Sequence, residues 1–177
     1  METKNEFTLD RVSVRLVKDA PIYSESKICS PQQAVNLVGG LLCEMDREFT
    51  CIINVKSNGI PINCSFTSVG TLNASLASPR ELLKASILSN AAGVILLHNH
   101  PSGDCSPSKE DVMLTDRMQK VCGLMDIPLQ DHLIVGINNR EYFSFKEKGM
   151  LPNPFQLYAT DVKALDWSHV AEKGARR

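Results

Sequence analysis

The amino-acid sequence predicts an α/β fold with a mixed β-sheet flanked by helices. Stretches with helical periodicity alternate with strand-like stretches along the chain, which is the pattern of α/β proteins. The run Gly93–Leu97 (GVILL) is continuously apolar and of strand length, as expected for a central strand covered on both faces. The chain has 177 residues. A domain of this size buries roughly 70% of its unfolded surface, so it needs neither a disulfide nor a metal in order to fold.

The first half of the chain is predicted to contain three strands and one helix. Apolar and polar residues alternate over Arg11–Lys18, which predicts a half-buried strand. Ser30 and Pro31 are residue types favoured at the N-cap and the first position of a helix, and apolar residues then recur at helical spacing as far as Met45. Two further strands, Phe49–Val55 and Ile60–Val69, are joined by a turn at Asn58–Gly59.

The second half is predicted to contain two helices and three strands. A helix begins at Ser78–Pro79 and ends near Asn90. After the central strand, another helix extends from about Pro107 to Cys122, and Gly123, a residue type that often terminates helices, stops it. The last strands are Leu129–Gly136 and Tyr142–Phe145, and the chain divides into a lead-in with one strand (1–29), a main domain (30–150) and a C-terminal tail (151–177).

The charge composition argues against two classes of protein. Lys and Arg number 19 and Asp and Glu number 20, for a net charge of −1. This balance excludes an intrinsically disordered chain and argues against a dedicated nucleic-acid binder. The start of the chain lacks the apolar segment of a signal peptide, and no apolar run reaches the ~18 residues of a membrane span. The six cysteines form no CxxC pair, so we expect a cytoplasmic protein with reduced thiols and no membrane association.

Three residues near the end of the central strand have the chemistry of metal ligands. His98 and His100 lie two residues apart on an extended segment, so their side chains point to the same side. Asp111 shares the inward-facing stripe of the following helix with Leu114 and Met118. An inward-facing carboxylate is costly unless something pairs with it. Two imidazoles and one carboxylate suit a single zinc ion whose fourth position is open to water.

A hydrolytic zinc site also needs a base and a group that stabilises an oxyanion. Glu44 and Glu48 both precede the second predicted strand, and we prefer Glu48 because it lies at the helix-to-strand junction. Ser108 lies one helical turn before Asp111, and its hydroxyl can donate to an oxyanion. The same Ser-x-x-Asp spacing is also that of a helix capping box. Each residue has such an ordinary interpretation on its own, but their combination predicts a metal site.

The arrangement Glu…His-x-His-x7-Ser-x-x-Asp resembles the JAMM motif of the JAB/MPN metallohydrolases. More narrowly, HNHPSGDCSPSKED at 98–111 resembles the RadC family, and similarity extends over about 30–150. The resemblance implies a cytidine-deaminase-like α/β fold and one zinc ion held by the two histidines and the aspartate. It also implies a water activated by Glu48, with Ser108 assisting the oxyanion. The other similar stretches are DREF at 46–49, SVGTLNAS at 68–75, SPRELLKASILSNAA at 78–92 and DHLIVG at 131–136.

The sequence departs from the RadC pattern in two ways. RadC-type proteins usually begin with a helix-hairpin-helix region, and we expect none here because only about 30 residues precede the domain. Cys105 stands where the family often has proline, so it is an exposed loop cysteine, an extra zinc ligand or a redox-sensitive thiol. Asp131 and His132 agree with the family, and we expect them either to support the metal ligands or to form a packed polar pair.

Three functions follow from these observations. The first is a zinc-dependent hydrolase that cleaves a peptide or isopeptide bond in an unknown protein or peptide substrate. The second is a nuclease or nucleic-acid-associated factor, in line with the DNA-repair label that the RadC family carries. The third is a non-catalytic scaffold, which we rank last because every position of the motif is filled. The sequence indicates neither the substrate nor the oligomeric state.

Overall fold

The computed structural model describes residues 11–24, 26–68, 78–138 and 141–151. Within these ranges the chain forms three α-helices and five β-strands. No helix of this described part is both long enough and apolar enough to span a membrane. In chain order the elements are α1 (Pro31–Cys43), β1 (Phe49–Val55), β2 (Pro61–Ser68), α2 (Pro79–Leu88), β3 (Gly93–Asn99), α3 (Lys109–Leu124), β4 (Leu129–Val135) and β5 (Tyr142–Ser144).

The five strands form one mixed sheet in the order β2-β1-β3-β4-β5. β3 and β4 are parallel, with α3 as the crossover between them, and the other neighbouring pairs are antiparallel. All seven residues of β3 are buried, as the continuous apolar run of a central strand predicts. The predicted α/β fold with a mixed sheet and flanking helices is therefore confirmed.

Different helices cover the two faces of the sheet, and alternate residues of each strand face opposite sides. On one face, α1 packs its apolar stripe against the side that includes Ile53 and Leu97. On the other face, α2 and α3 pack against the side that includes Ile52 and Leu96. Each fully buried leucine or isoleucine contributes about 1.5–3 kcal/mol to folding, so two apolar layers hold β3 in place from both sides.

The predicted strand over Arg11–Lys18 is wrong. This segment is irregular, its Val12 and Val17 side chains are 78% and 91% exposed, and within the described residues the sheet ends at β2. An alternating pattern makes a segment compatible with a sheet, but a strand forms only where an edge accepts its backbone hydrogen bonds. The tail was predicted over 151–177, and all of it except Leu151 lies outside the described residues.

The predicted end of α3 is also wrong. Gly123 lies inside the helix, which continues to Leu124. The chain instead reverses at Asp126, which has a φ of 54°, a conformation that aspartate tolerates better than most residues. Glycine is the commonest residue at this position of a helix end but is not required there, so composition alone placed the end two residues too early.

Candidate metal centre

β3 and α3 bring two histidines and one aspartate together at one end of the sheet. His98 Nε2 lies 3.0 Å from Asp111 Oδ1 and 3.0 Å from His100 Nε2. His100 Nε2 lies 3.4 Å from Asp111 Oδ2. One donor atom from each of the three residues lies within 4.8 Å of the other two, and each side chain is at most 12% exposed. The three residues predicted as metal ligands therefore converge on one small volume.

This donor set fits a zinc ion. Two imidazole nitrogens and one carboxylate are a ligand combination of catalytic zinc sites, which keep a fourth position open. Burial raises the pKa of the Asp111 carboxyl, but hydrogen bonds with His100, His98 and Ser108 outweigh it and hold the pKa far below its usual range. His100 Nδ1 lies 2.7 Å from the carbonyl oxygen of Asp104. An Nδ1–H that donates to this carbonyl leaves Nε2 of His100 free to bind a metal.

Ser108 holds the Asp111 side chain at the start of α3. The backbone N–H and the hydroxyl of Ser108 donate to Asp111 Oδ2 at 2.7 and 2.6 Å, and the N–H of Asp111 donates to Ser108 Oγ at 3.1 Å. These contacts are a capping box, the ordinary interpretation of the Ser-x-x-Asp spacing. Because Oδ1 of the same carboxylate faces His98, the cap also orients a candidate ligand. The oxyanion role of Ser108 stays a prediction.

The loop that follows His100 is folded tightly against the end of β4. Gly103 has a φ of +86°, and its N–H donates to the carbonyl oxygen of His100 at 2.9 Å. A Cβ on Gly136 would lie 2.7 Å from the carbonyl oxygen of Gly103, so glycine at this position permits the close approach. The resulting turn places the Asp104 carbonyl against the imidazole of His100.

Glu48 is exposed and lies immediately before β1. In the β1–β3 ladder Thr50 is paired with His98, so extending the antiparallel register by two residues places Glu48 opposite His100. The pKa of His100 is raised mainly by its hydrogen bond with Asp111, against the effect of burial, and the charge of Glu48 adds a smaller increase. The predicted base is therefore near enough to His100 to act on it electrostatically.

The two candidate bases, Glu44 and Glu48, differ in their position relative to the candidate ligands. Glu44 is the C-cap of α1, and α1 covers the face of the sheet that includes Leu97. His98 lies on the other face, since Leu96 and Val94, two and four residues earlier in the strand, pack with α3. The arrangement therefore favours Glu48 over Glu44.

Asn99, between the two histidines, holds the backbone on both sides of Glu48. Its Oδ1 accepts the N–H of Phe49 at 2.7 Å, and its Nδ2 donates to the carbonyl oxygen of Arg47 at 2.9 Å. Asn99 is 1% exposed, so its amide is a buried anchor for this exposed segment. Asn99 was not predicted to take part in the site, although a polar side chain at the end of a buried strand indicates that it has partners.

Asp131 and His132 are adjacent on β4 but serve different parts of the molecule. The Asp131 carboxylate accepts hydrogen bonds from the Ser144 hydroxyl at 2.6 Å and the Lys146 N–H at 3.0 Å, so it ties β4 to the turn after β5. Burial raises the pKa of this carboxyl despite those bonds. His132 is fully buried and its Nε2 lies 2.9 Å from His98 Nδ1. Only His132 of this pair thus contacts a candidate ligand.

The family of the chain is shown by its match to known proteins. The family model described as the RadC-like JAB domain matches residues 28–150. The chain belongs to this family. A UPF0758 protein of Clostridium kluyveri is 45% identical over 125 residues, which are 71% of this chain and 54% of that protein. A UPF0758 protein of Clostridium acetobutylicum is 42% identical over 129 residues, which are 73% and 56%. The matched part of the chain thus spans just over half the length of these relatives.

Cys105 of this RadC-like JAB domain does not join the three candidate ligands. Among the described residues, the group of side chains close enough to share a metal consists of His98, His100 and Asp111. The Cys105 thiol instead donates to the carbonyl oxygen of Glu141 at 3.4 Å. Burial, followed by the negative charges of Glu141 and Asp104, raises the pKa of the thiol. A protonated thiol is neither a metal ligand nor a strong nucleophile, so this geometry favours the interpretation as a loop cysteine.

Proposed function

We propose that this RadC-like JAB domain is a zinc-dependent hydrolase that cleaves a peptide or isopeptide bond. The observation that carries the proposal is the convergence of His98, His100 and Asp111 within 4.8 Å at the end of β3, with Glu48 opposite His100 in the extended register. Three ligands leave one coordination position for a water or a carbonyl oxygen. A site that held a purely structural metal would be closed by a fourth protein ligand.

The residues have distinct roles in this proposal. The two histidines and Asp111 would hold the zinc ion, which when bound acts as a Lewis acid and lowers the pKa of a water to about 7. Glu48 is exposed, so it can take a proton from the attacking water and pass it to the amine that leaves. The Ser108 hydroxyl, 2.6 Å from Asp111, lies beside the ligands and can turn to donate to the oxyanion of the substrate carbonyl.

An amide substrate is favoured over a nucleic acid by the charge of the chain. With 19 basic and 20 acidic residues, the chain lacks the excess of positive charge that phosphate backbones attract. The test is cleavage of a library of synthetic peptides, including lysine isopeptides, by zinc-loaded protein with a mass-spectrometric readout. We expect cleavage that stops with a chelator and returns with added zinc. Cleavage of a DNA or RNA oligonucleotide but of no peptide would contradict the proposal.

Ser108→Ala separates the capping and catalytic roles of this residue. We expect a loss of about 1 kcal/mol in the free energy of unfolding from the lost N-cap, together with a roughly 10²–10³-fold lower kcat if the hydroxyl stabilises the oxyanion. Chemical denaturation and kinetics on the cleaved peptide measure the two effects, in samples that contain as much zinc as the wild type.

The matched control is Ser30→Ala. Ser30 is the N-cap of a capping box on α1, away from the candidate ligands, so the same stability loss should come with an unchanged kcat. Equal kcat values for both variants would show that Ser108 is a cap alone.

A further inference from the structure

A line of hydrogen bonds extends behind His98, on the side of the ring that faces away from the other two candidate ligands. His98 Nδ1 lies 2.9 Å from His132 Nε2, and His132 Nδ1 lies 2.6 Å from the Thr115 hydroxyl oxygen. That hydroxyl lies 2.6 Å from the carbonyl oxygen of Asp111. The line therefore begins at one candidate ligand and ends on the backbone of another.

The donor and the acceptor of each hydrogen bond in this line follow from the Asp111 carbonyl at its end. A carbonyl oxygen only accepts, so the Thr115 hydroxyl proton must point to Asp111. The Thr115 oxygen then accepts from His132, which places the proton of the neutral His132 ring on Nδ1 and leaves its Nε2 as an acceptor. His98 must therefore donate from Nδ1, so that in the neutral His98 ring the lone pair is on Nε2. This is the tautomer of His98 that can bind a metal through the atom facing Asp111.

Both supporting side chains of this line are buried. His132 is 0% exposed and Thr115 is 3% exposed, so water cannot replace a lost bond. The His132 ring is stacked on Phe145 with the ring centres 4.9 Å apart and the planes 9° apart, which restrains its rotation. A substitution that removes the Thr115 hydroxyl would therefore leave His132 Nδ1 buried without its acceptor.

We propose that Thr115 and His132 are positioning residues that hold His98 in the tautomer and orientation required for metal binding. The inference rests on the proposed function, because it assumes that His98 is a ligand. Ligand histidines usually donate their second N–H to a carboxylate or a backbone carbonyl, as His100 does to Asp104. His98 differs because its partner is the imidazole of His132, which the Thr115 hydroxyl orients. His132 and Thr115 can each be substituted while all three candidate ligands are kept.

Thr115→Val tests the inference, because valine has nearly the same shape and lacks the hydroxyl. We expect about 10–100-fold weaker zinc binding by the full chain, measured by competition with a chromogenic chelator. We also expect an altered visible absorption spectrum of the Co²⁺-substituted protein, since the geometry at His98 changes. Thr115→Ser keeps the hydroxyl and should restore most of the zinc affinity and the wild-type cobalt spectrum.

A second pair of variants addresses His132. Glutamine at this position offers His98 an acceptor oxygen, whereas leucine offers none, so His132→Gln should bind zinc more tightly than His132→Leu. Thermal unfolding of each metal-free variant measures its stability separately. If His132 acted only through packing, the zinc affinities of the two variants would rank in the same order as their stabilities. Such a result would contradict the inference.

The outcomes separate this inference from the proposed function. Wild-type zinc affinity and an unchanged cobalt spectrum in Thr115→Val would overturn the inference and leave the proposed function standing. The expected affinities without cleavage of any peptide would support the inference and contradict the proposed function. Failure of the wild-type chain to bind zinc would overturn both.

Discussion

Glu48→Gln is expected to abolish peptide cleavage while leaving the zinc content unchanged. Glutamine has the shape of glutamate but cannot take a proton from water, and a general base contributes typically ~10²–10⁴-fold to a rate. Asn99 holds the backbone through Phe49 and Arg47, not through the Glu48 side chain, so the substitution should not disturb the chain. The measurements are kcat/KM on a cleaved peptide and elemental analysis of the same sample.

The matched control for this variant is Glu44→Gln. Glu44 lies four residues earlier and is also exposed, but it ends α1, which covers the opposite face of the sheet. We expect wild-type kinetics from Glu44→Gln. A loss of activity with Glu44→Gln would contradict the assignment of Glu48 as the base. Full activity with Glu48→Gln in zinc-loaded protein would contradict it too.

His100→Ala is expected to reduce the zinc content from about one ion per chain to nearly none, because a three-ligand site loses one of its two imidazoles. The variant should remain folded. The apolar layers on the two faces of the sheet do not include His100, and a domain of this size needs no metal for its core. Elemental analysis gives the metal content, and circular dichroism with thermal unfolding checks the fold.

Cys105→Ser is the companion variant for the metal content. The Cys105 thiol donates to Glu141 and lies outside the group of candidate ligands, so serine at this position should leave the zinc content at its wild-type value. Zinc loss in Cys105→Ser would instead indicate that the Cys105 thiol is a zinc ligand. A His100→Ala protein that keeps a full equivalent of zinc would place the metal elsewhere.

The elements that were predictable from sequence are those whose signals are local. The apolar run of β3 and the capping residues Ser30 and Ser108 identified their elements directly, and the His-x-His spacing identified two of the candidate ligands. Arg11–Lys18 has an equally clear local pattern, but whether it pairs depends on a distant sheet edge. A local sequence pattern is therefore sufficient to predict an element that is buried in the core. It is insufficient to predict a strand at the edge of a sheet.

The supporting residues of the site were harder to predict because they depend on register. His132 pairs with Leu96 only because the parallel ladder of β3 and β4 shifts between Val94 and Ile95. That shift determines which β4 residue lies behind His98, and no local signal marks it. Thr115 could have been found, since it lies four residues after Asp111 and therefore on the same face of α3.

The placement of His98 on β3 and of Glu48 outside the sheet has a consequence for dynamics. A fully buried central strand opens to solvent only at a free energy close to that of global unfolding, whereas an exposed segment before a strand opens at far lower cost. His98 belongs to the first kind of structure and Glu48 to the second. Fluctuations of the native state should therefore move the Glu48 side chain more readily than His98, although Asn99 restrains the backbone on both sides of Glu48.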